Sequence, residues 1–188
     1  MGLGNPGPAY ASTRHNIGFR VVETLARRAG IGLGAERFAG RYGCGRLGSL
    51  DVAVLEPHTW MNRSGDSVAA ALAELDAVDP ARDVVVVFDD LDLPLGRLRV
   101  RAGGGPGGHR GMASIIEAMG SKAFARLRFG IGRPPAGCDA VDHVLQPFSG
   151  DDERSLAPRI PLAVEALEVV LSEGVEAAMN RFNRDDGG

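Results

Sequence analysis

The sequence predicts a three-layer α/β/α fold, in which a mixed central sheet lies between two layers of helices in one domain spanning residues 1–188. A continuous apolar run at residues 84–88 is rich in β-branched side chains and predicts a strand buried on both faces, as at the centre of an α/β sheet. Segments with helical periodicity alternate with strands and hairpins along the chain. A length of 188 residues allows one such domain to bury a substantial core.

Composition indicates a soluble globular protein. Hydrophobic residues make up 44% of the chain and charged residues 24%. Cys44 and Cys138 are too few and too far apart to predict a disulfide framework or a zinc site. No apolar run approaches the roughly 18 residues of a membrane span, and no signal-like segment opens the chain. We therefore expect a cytoplasmic protein. A monomer is a separate expectation that composition does not decide.

The opening stretch, residues 2–7, reads Gly-Leu-Gly-Asn-Pro-Gly and predicts a tight turn. Its glycines permit positive φ and close backbone approach, and Pro6 pushes Asn5 out of the helical region. Such a turn would hold the Asn5 amide in a defined direction, although the same residues often form a turn and nothing more. Few residues precede it, so we expect the first strand of the sheet to be truncated.

Residues 16–29 follow as an amphipathic helix that ends at Gly30. His15 stands where this helix begins. A histidine titrates near pH 6.5, so it can accept a proton at neutral pH. A lone histidine is more often a surface or hydrogen-bonded core residue, and only convergence with other polar residues would favour a catalytic role.

The next segment combines a hairpin with a polar loop. Residues 38–47 and 51–55 predict two strands joined at Gly48 and Ser49. Residues 58–63 form a polar loop before a helix at 64–75. Within the loop, Trp60 is either a packed hydrophobe or a stacking surface for a base or ribose. Either Asn62 or Ser64 could cap the start of this helix. If Asn62 is not the cap, its side-chain amide is available to bind a ligand.

Three acids, Asp89, Asp90 and Asp92, come directly after the buried strand at 84–88. The carboxyl end of a central strand is where α/β folds place their sites. One carboxylate there would orient a histidine through its Nδ1–H. A metal site is the alternative, which we disfavour because the sequence shows no further cluster of ligands.

A half-buried strand at residues 95–102 precedes a glycine-rich loop, residues 103–111, which opens a helix at 112–119. Backbone N–H groups at such a helix start suit a phosphate. The loop is neither a Walker motif nor a dinucleotide fingerprint, and a flexible linker is the alternative reading. Residues 126–131 predict another strand. The chain then continues as a long helix at 151–173, interrupted by prolines, a short helix at 175–182 and a frayed tail at 185–188.

Positive charge is concentrated between residues 97 and 133. The whole chain carries a formal net charge of −3, yet this stretch holds only one acid, Glu117. Such asymmetry predicts a local anionic partner on an otherwise acidic body, with a solvated sheet edge as the alternative. The basic residues are Arg97, Arg99, Arg101, Arg110, Lys122, Arg126, Arg128 and Arg133.

Together these motifs resemble the bacterial peptidyl-tRNA hydrolase family. The motifs are those at residues 2–7, 13–16, 60–65, 89–94 and 103–111, with Tyr10 between the first two, and they occur in the order and spacing of that family. The resemblance implies hydrolysis of the ester between a peptide and the 3′-terminal ribose of tRNA, without metal or cofactor. The basic stretch, residues 97–133, would then receive tRNA phosphates.

The resemblance also implies roles for individual residues. His15 would be the base that activates water, and Asp89 would hold its productive tautomer. Asn5 would help to discriminate peptidyl from aminoacyl substrates, and Asn62 would bond near the scissile carbonyl. The remaining matches to substrate-contact positions are Tyr10 and Trp60.

One departure from the family concerns Arg110, which stands where members usually have a substrate-contacting Asn. Arg110 would either supply a phosphate contact or weaken substrate positioning. Two other functions stay open at this point: a non-catalytic RNA-binding relative, and a nucleotide-binding α/β enzyme suggested by fold analogy alone.

Overall fold

The computed structural model describes residues 1–75 and 77–184; the tail at 185–188, expected to fray, lies outside this range. The described strands are β1 Ala35–Arg37, β2 Gly40–Leu47, β3 Leu50–Pro57, β4 Val85–Asp90, β5 Leu98–Arg101 and β6 Ala125–Gly130. The described helices are α1 Ile17–Arg28, α2 Ser64–Glu74, α3 Pro80–Asp83, α4 Arg110–Met119, α5 Ala140–Leu145, α6 Gly150–Leu156, α7 Arg159–Glu173 and α8 Val175–Phe182. Two 3-10 turns, Arg14–Asn16 and Met61–Arg63, precede α1 and α2. Among the helices in this range, none has the length and apolar character to cross a membrane.

The strands form two three-stranded sheets, and one of them is mixed as predicted. In the order β4-β6-β5, β4 is parallel to β6 and β5 is antiparallel to it. The other sheet, β1-β2-β3, is antiparallel, and the predicted hairpin is its β2–β3 pair with a turn at Gly48 and Ser49.

The opening residues link the two sheets. Gly2 pairs with Val87 of β4 in a parallel bridge, and its N–H donates to the Leu55 carbonyl of β3 at 3.1 Å. Leu3 N–H donates to the Val87 carbonyl at 2.9 Å. This first segment forms a single bridge rather than a strand. A largely apolar cleft of about 540 Å³, lined by β3, α2 and α7 among others, opens beside it.

Helices cover both faces of the mixed sheet, which confirms the three predicted layers. Along β4, Val85 and Val87 face a core cluster with α1, α7 and α8, whereas Val86 and Phe88 face a second cluster with α2 and α4. All six residues of β4 are buried, as the apolar run predicts for a strand covered on both sides.

The interruption predicted within residues 151–173 is observed: this segment forms two helices, α6 and α7, separated around Pro158, whose ring is incompatible with a helix interior. The helices differ from expectation in two other places. The short helices α3 and α5 were not predicted, since neither is long enough to show periodicity. Each is instead defined locally by an aspartate cap, Asp79 and Asp139 respectively.

The capping prediction for α2 is wrong. Its N-cap is Arg63, without a side-chain cap bond. Ser64 Oγ donates back to the Met61 carbonyl at 2.8 Å instead. The 3-10 turn Met61–Arg63 thus leads directly into α2. The side chain of Asn62 is exposed and makes no capping hydrogen bond to this helix.

Candidate active site

A cleft of about 900 Å³ opens at the carboxyl end of β4, where the sequence predicts the site. Most of its walls come from six separate parts of the chain. They are the opening turn, the 3-10 turns before α1 and α2, the end of β4, the glycine-rich loop and α5. All seven predicted site residues line it, namely Asn5, Tyr10, His15, Trp60, Asn62, Asp89 and Arg110.

His15 and Asp89 form a direct pair at this cleft. His15 lies in the 3-10 turn Arg14–Asn16, and its Nδ1 is 2.7 Å from Oδ1 of Asp89 at the end of β4. Asp89 is 3% exposed. A proton on Nδ1 donated to this carboxylate leaves the Nε2 lone pair of His15 available to accept a proton.

A second histidine, His109, contacts the same carboxylate oxygen, with its Nε2 3.0 Å from Asp89 Oδ1. The Nδ1 of His109 accepts the N–H of Met112 at 3.2 Å and so caps α4. Sequence reasoning assigned the glycine-rich loop to phosphate and overlooked this residue. The signal was available: a histidine at the start of a helix that follows a site-bearing strand is placed to reach that strand's end.

The charge state of Asp89 follows from these neighbours. Burial alone opposes its ionisation. The positive charge that His15 and His109 can carry, and the hydrogen bonds from both rings, outweigh burial and hold the pKa of the Asp89 carboxyl well below its usual range. Asp89 is therefore an anion at any pH near neutrality.

His15, Asp89 and His109 also constitute a possible metal-binding group, with their ligand atoms within 4.8 Å of one another. The sequence suggested no such cluster, because His109 lies far along the chain. The hydrogen bonds do not favour a metal: the Nδ1 of His109 accepts a backbone N–H, so in the neutral ring the proton is on Nε2. A protonated Nε2 cannot be a ligand, whereas it can donate to Asp89.

Asn5 is held by three hydrogen bonds in the opening turn. Its N–H donates to Asn16 Oδ1 at 2.9 Å, and its carbonyl accepts from Asn16 Nδ2, also at 2.9 Å. Its side-chain Oδ1 accepts the N–H of Met61 at 2.9 Å. The predicted fixed direction of the Asn5 amide is thus observed, and Asn16 is a second contributor that the sequence did not reveal.

Aromatic rings form part of the rim. Tyr10 and Trp60 meet edge to face with centroids 5.8 Å apart. Trp60 is 55% exposed, so it is not the packed hydrophobe that was the alternative reading. On α5, Val141 and Leu145 are also exposed and line the same cleft. The rim therefore offers apolar surface to a bound ligand.

The predicted basic stretch divides into structural and exposed members. Arg126 is 2% exposed and bonds the carbonyls of Gly104, Gly105 and Lys122, so it holds the glycine-rich loop. Arg128 pairs with Asp90, and Arg133 pairs with Asp92 at 2.7 Å. Acids from the end of β4 thus neutralise bases that the sequence left unpaired. Three exposed members make no ion pair with any residue in 1–75 or 77–184: Arg101, Arg110 and Lys122.

Comparison with known proteins identifies the family. A family model described as peptidyl-tRNA hydrolase matches residues 1–187. The peptidyl-tRNA hydrolase of Synechococcus sp. (strain JA-3-3Ab) is 53% identical over 184 residues, covering 97% of this chain and 81% of the relative. That of Symbiobacterium thermophilum is 50% identical over 185 residues, covering 97% of each. The crystal structure of peptidyl-tRNA hydrolase from Acinetobacter baumannii superposes with a TM-score of 0.89 at 38% identity, covering 97% of this chain and 92% of that one. The chain belongs to the peptidyl-tRNA hydrolase family.

Proposed function

We propose that this protein hydrolyses the ester bond between the peptide and the 3′-terminal ribose of peptidyl-tRNA, releasing tRNA and peptide. The observation that carries the proposal is the His15–Asp89 pair in an open cleft. Asp89 bonds Nδ1 of His15 and Nε2 of His109, and Nε2 of His15 has no hydrogen-bond partner among the described residues. Family membership supplies the substrate class. We further infer that residues 1–188 act as one catalytic domain, since the residues that line the cleft are spread along the chain from Asn5 to Leu145.

In the proposed reaction, His15 is a general base. Its Nε2 takes a proton from water as the water oxygen attacks the ester carbonyl carbon, and the carbonyl oxygen takes the negative charge. When the bond to the ribose oxygen breaks, the proton returns from His15 to that oxygen. Asp89 keeps Nδ1 protonated and stabilises the imidazolium between the two steps.

Direct attack by water is favoured over an acyl-enzyme by the lining of the cleft. Within the described ranges, the residues that line it include no Ser, Thr or Cys next to His15. An acyl-enzyme needs such a nucleophile within hydrogen-bonding reach of the base.

Substrate positioning is assigned to the remaining cleft residues. The side chains of Asn5 and Asn62 supply amide donors near the carbonyl, with Asn5 favouring peptidyl over aminoacyl groups. Tyr10, Trp60 and the apolar rim contact the peptide or the terminal nucleoside. Arg101 and Arg110 in the cleft lining, and Lys122 outside it, have no ion-pair partner in the described parts of the chain, and we assign them to attracting tRNA phosphates.

The test compares N-acetyl-aminoacyl-tRNA with the unblocked aminoacyl-tRNA, each with and without a chelator. We expect selective cleavage of the blocked substrate, unaffected by chelator. Binding of the blocked substrate without turnover would instead indicate the non-catalytic RNA-binding alternative and overturn the proposal.

His15→Ala tests the mechanism within the same assay. We expect kcat to fall by about 10²–10⁴-fold, because general-base catalysis contributes that much. His58→Ala is the matched control, since His58 is exposed and lies outside the cleft lining. Turnover that survives in His15→Ala at the level of His58→Ala would exclude His15 as the base.

A further inference from the structure

We infer that Asn16 is a positioning residue that aims the Asn5 amide at the substrate and thereby sets the preference for N-blocked over free aminoacyl groups. The inference rests on the proposed function and concerns a residue that makes no contact with the cleft itself: Asn16 is 2% exposed and does not line it.

The first step is that the Asn16 side chain has no role in starting α1. It occupies the N-cap position, where asparagine usually accepts a hydrogen bond from the first turn, yet it makes no such bond. Its amide is turned instead toward the opening turn, eleven residues earlier in the chain. A buried amide costs free energy unless it is bonded, so this orientation is specified by its partners.

The two shortest hydrogen bonds of this side chain are to backbone groups of Asn5, and the Thr13 hydroxyl also donates to Asn16 Oδ1 at 3.5 Å. Asn16 accepts the N–H of Asn5 and donates to the carbonyl of Asn5, each at 2.9 Å. The Asn16 side chain thus bonds the peptide units on both sides of the Asn5 Cα, as a neighbouring strand would. Because the N–H and the carbonyl of Asn5 are both fixed, the direction of its Cα–Cβ bond is fixed as well.

The second step concerns the Asn5 side chain. Its Oδ1 accepts a hydrogen bond from the N–H of Met61. The Nδ2 group is therefore the part of the Asn5 amide that can donate to a ligand in the cleft. No residue in the described ranges bonds to this Nδ2. The cleft therefore presents a hydrogen-bond donor whose direction is set from both ends, by Asn16 at the backbone and by Met61 at the oxygen.

A donor at this position distinguishes the two substrate classes. An N-blocked aminoacyl group offers an amide carbonyl as acceptor next to the ester, whereas a free aminoacyl group offers an ammonium, which only donates. A site built around a fixed polar group rejects a ligand that leaves that group unpaired. The 3-10 turn Arg14–Asn16 thus carries the proposed base, His15, and the residue that aims the selectivity group.

The test measures kcat/KM for N-acetyl-aminoacyl-tRNA and for the unblocked substrate, and the ratio of the two. Asn16→Asp is nearly isosteric: it keeps an acceptor for the Asn5 N–H but loses the donor to the Asn5 carbonyl. We expect the ratio to fall by about 10-fold, the effect of one lost hydrogen bond to a positioned group. Asn16→Ser, which is too short to reach both groups, is the second variant if Asn16→Asp does not fold.

Asn183 provides the matched control. It makes the same pair of bonds to one backbone residue, accepting from Val100 N–H at 2.7 Å and donating to the Val100 carbonyl at 2.9 Å, but it lies outside the cleft lining. Asn183→Asp should destabilise the fold by a similar mechanism and leave the substrate ratio unchanged. An unchanged ratio in Asn183→Asp would show that a loss of stability alone does not lower the ratio.

A double-mutant cycle with Asn5→Ala completes the test. If Asn16 acts through Asn5, adding Asn16→Asp to Asn5→Ala changes the ratio no further. A ratio within 2-fold of wild type in folded Asn16→Asp, or losses that multiply in the double variant, would overturn the inference. These outcomes require an active wild-type protein, so an inactive wild type would count against the proposed function instead.

Discussion

The two histidines that contact Asp89 are held differently, and the difference determines which of them has a free nitrogen. His109 is bonded at both ring nitrogens, through Nε2 to Asp89 and through Nδ1 to the N–H of Met112. His15 is bonded at Nδ1, and no residue in the described ranges bonds to its Nε2. Only His15 can therefore accept a proton from water without first losing a hydrogen bond, which supports its assignment as the base.

Asp89→Asn tests the electrostatic part of this arrangement. The substitution keeps the size of the side chain but removes the negative charge, and its amide can donate to His15 Nδ1 and so favour the unproductive tautomer. We expect kcat for N-acetyl-aminoacyl-tRNA to fall by about 10²–10⁴-fold with a smaller change in KM. Steady-state kinetics on folded variant protein measures both. A kcat close to wild type would mean that Asp89 has a structural role only.

The sequence predicts those candidate site residues whose type and local sequence context point to a role. His15 at a helix start, Asp89 after a buried strand and Asn5 in a glycine-proline turn belong to this group. Asn16 could not be assigned in the same way, because its role depends on which backbone groups its side chain meets. A buried amide that bonds another residue's backbone leaves no periodicity or motif of its own.

At the scale of elements, α1 must approach the sheet closely for His15 to reach Asp89. Gly18, in the first turn of α1, allows this approach. A Cβ placed there would lie 2.5 Å from the carbonyl oxygen of Val87 in β4 and 2.5 Å from the backbone of Leu3. Such distances are shorter than any real carbon–oxygen contact, and the atoms met are backbone atoms of the central sheet, which cannot move aside cheaply.

Gly18→Ala should therefore separate α1 from β4. We expect a loss of about 1–3 kcal/mol in the free energy of unfolding, typical of overpacking, and a reduced kcat because the His15–Asp89 distance increases. Urea unfolding and turnover of the blocked substrate measure the two effects. Gly34→Ala is the control, since a Cβ at Gly34 meets nothing within 4 Å. Equal stability of the two variants would show that the helix and sheet adapt without strain.

The strands and helices could be predicted where a local sequence pattern specifies them, and could not be predicted where contacts between distant residues do. The run that forms β4 and the alternation in β5 identify buried and half-buried strands directly. The order β4-β6-β5 could not be read from the chain, because pairing of β4 with β6 joins residues about 40 positions apart. Helix α5 was missed as well, although its apolar residues line the cleft: six residues are too few for a periodic signal.

At the scale of the whole molecule, charge is distributed unevenly on an acidic chain. Asp90 and Asp92 neutralise part of the basic stretch, and the buried Arg126 supports the glycine-rich loop. What remains exposed on the cleft side is a smaller positive surface that includes Arg101 and Arg110. We therefore expect fewer phosphate contacts than eight basic residues would suggest, with a correspondingly moderate salt dependence.

Arg110→Ala tests that expectation. Plots of log kcat/KM against log salt concentration should slope downward for wild type, and the slope should be shallower by about one in the variant if Arg110 contacts a phosphate. Arg46→Ala removes the same charge from an exposed site outside the cleft lining and should leave the slope unchanged. If Arg110→Ala lowers kcat without altering the slope, Arg110 positions the substrate in place of the family's usual Asn.

Glu56 links the stability of the whole fold to pH. It lies in β3 with 0% exposure, and its Oε2 accepts from Arg41 Nη1 at 3.0 Å. Burial, followed by the charge of Glu23, raises the pKa of Glu56 to about 7 from its ordinary 4.5, although the charges of Arg41 and the Met1 amine oppose the shift. Between these two pH values the folded protein binds more protons than the unfolded chain, so this carboxyl's contribution to stability is lost as pH rises through 7.

Glu56→Gln isolates this contribution, because glutamine imitates the protonated carboxyl at every pH. We expect the melting temperature of the variant relative to wild type to be near its lowest at pH 5, to increase as the pH rises through 7 and to level off toward pH 8, where the wild type must keep an ionised carboxylate buried. Thermal unfolding at intervals across this range measures the difference, with Glu36→Gln, an exposed glutamate of β1, as the control. A difference that stays constant from pH 5 to pH 8 would mean that Arg41 keeps Glu56 ionised throughout, and that the ion pair rather than burial determines the state of this side chain.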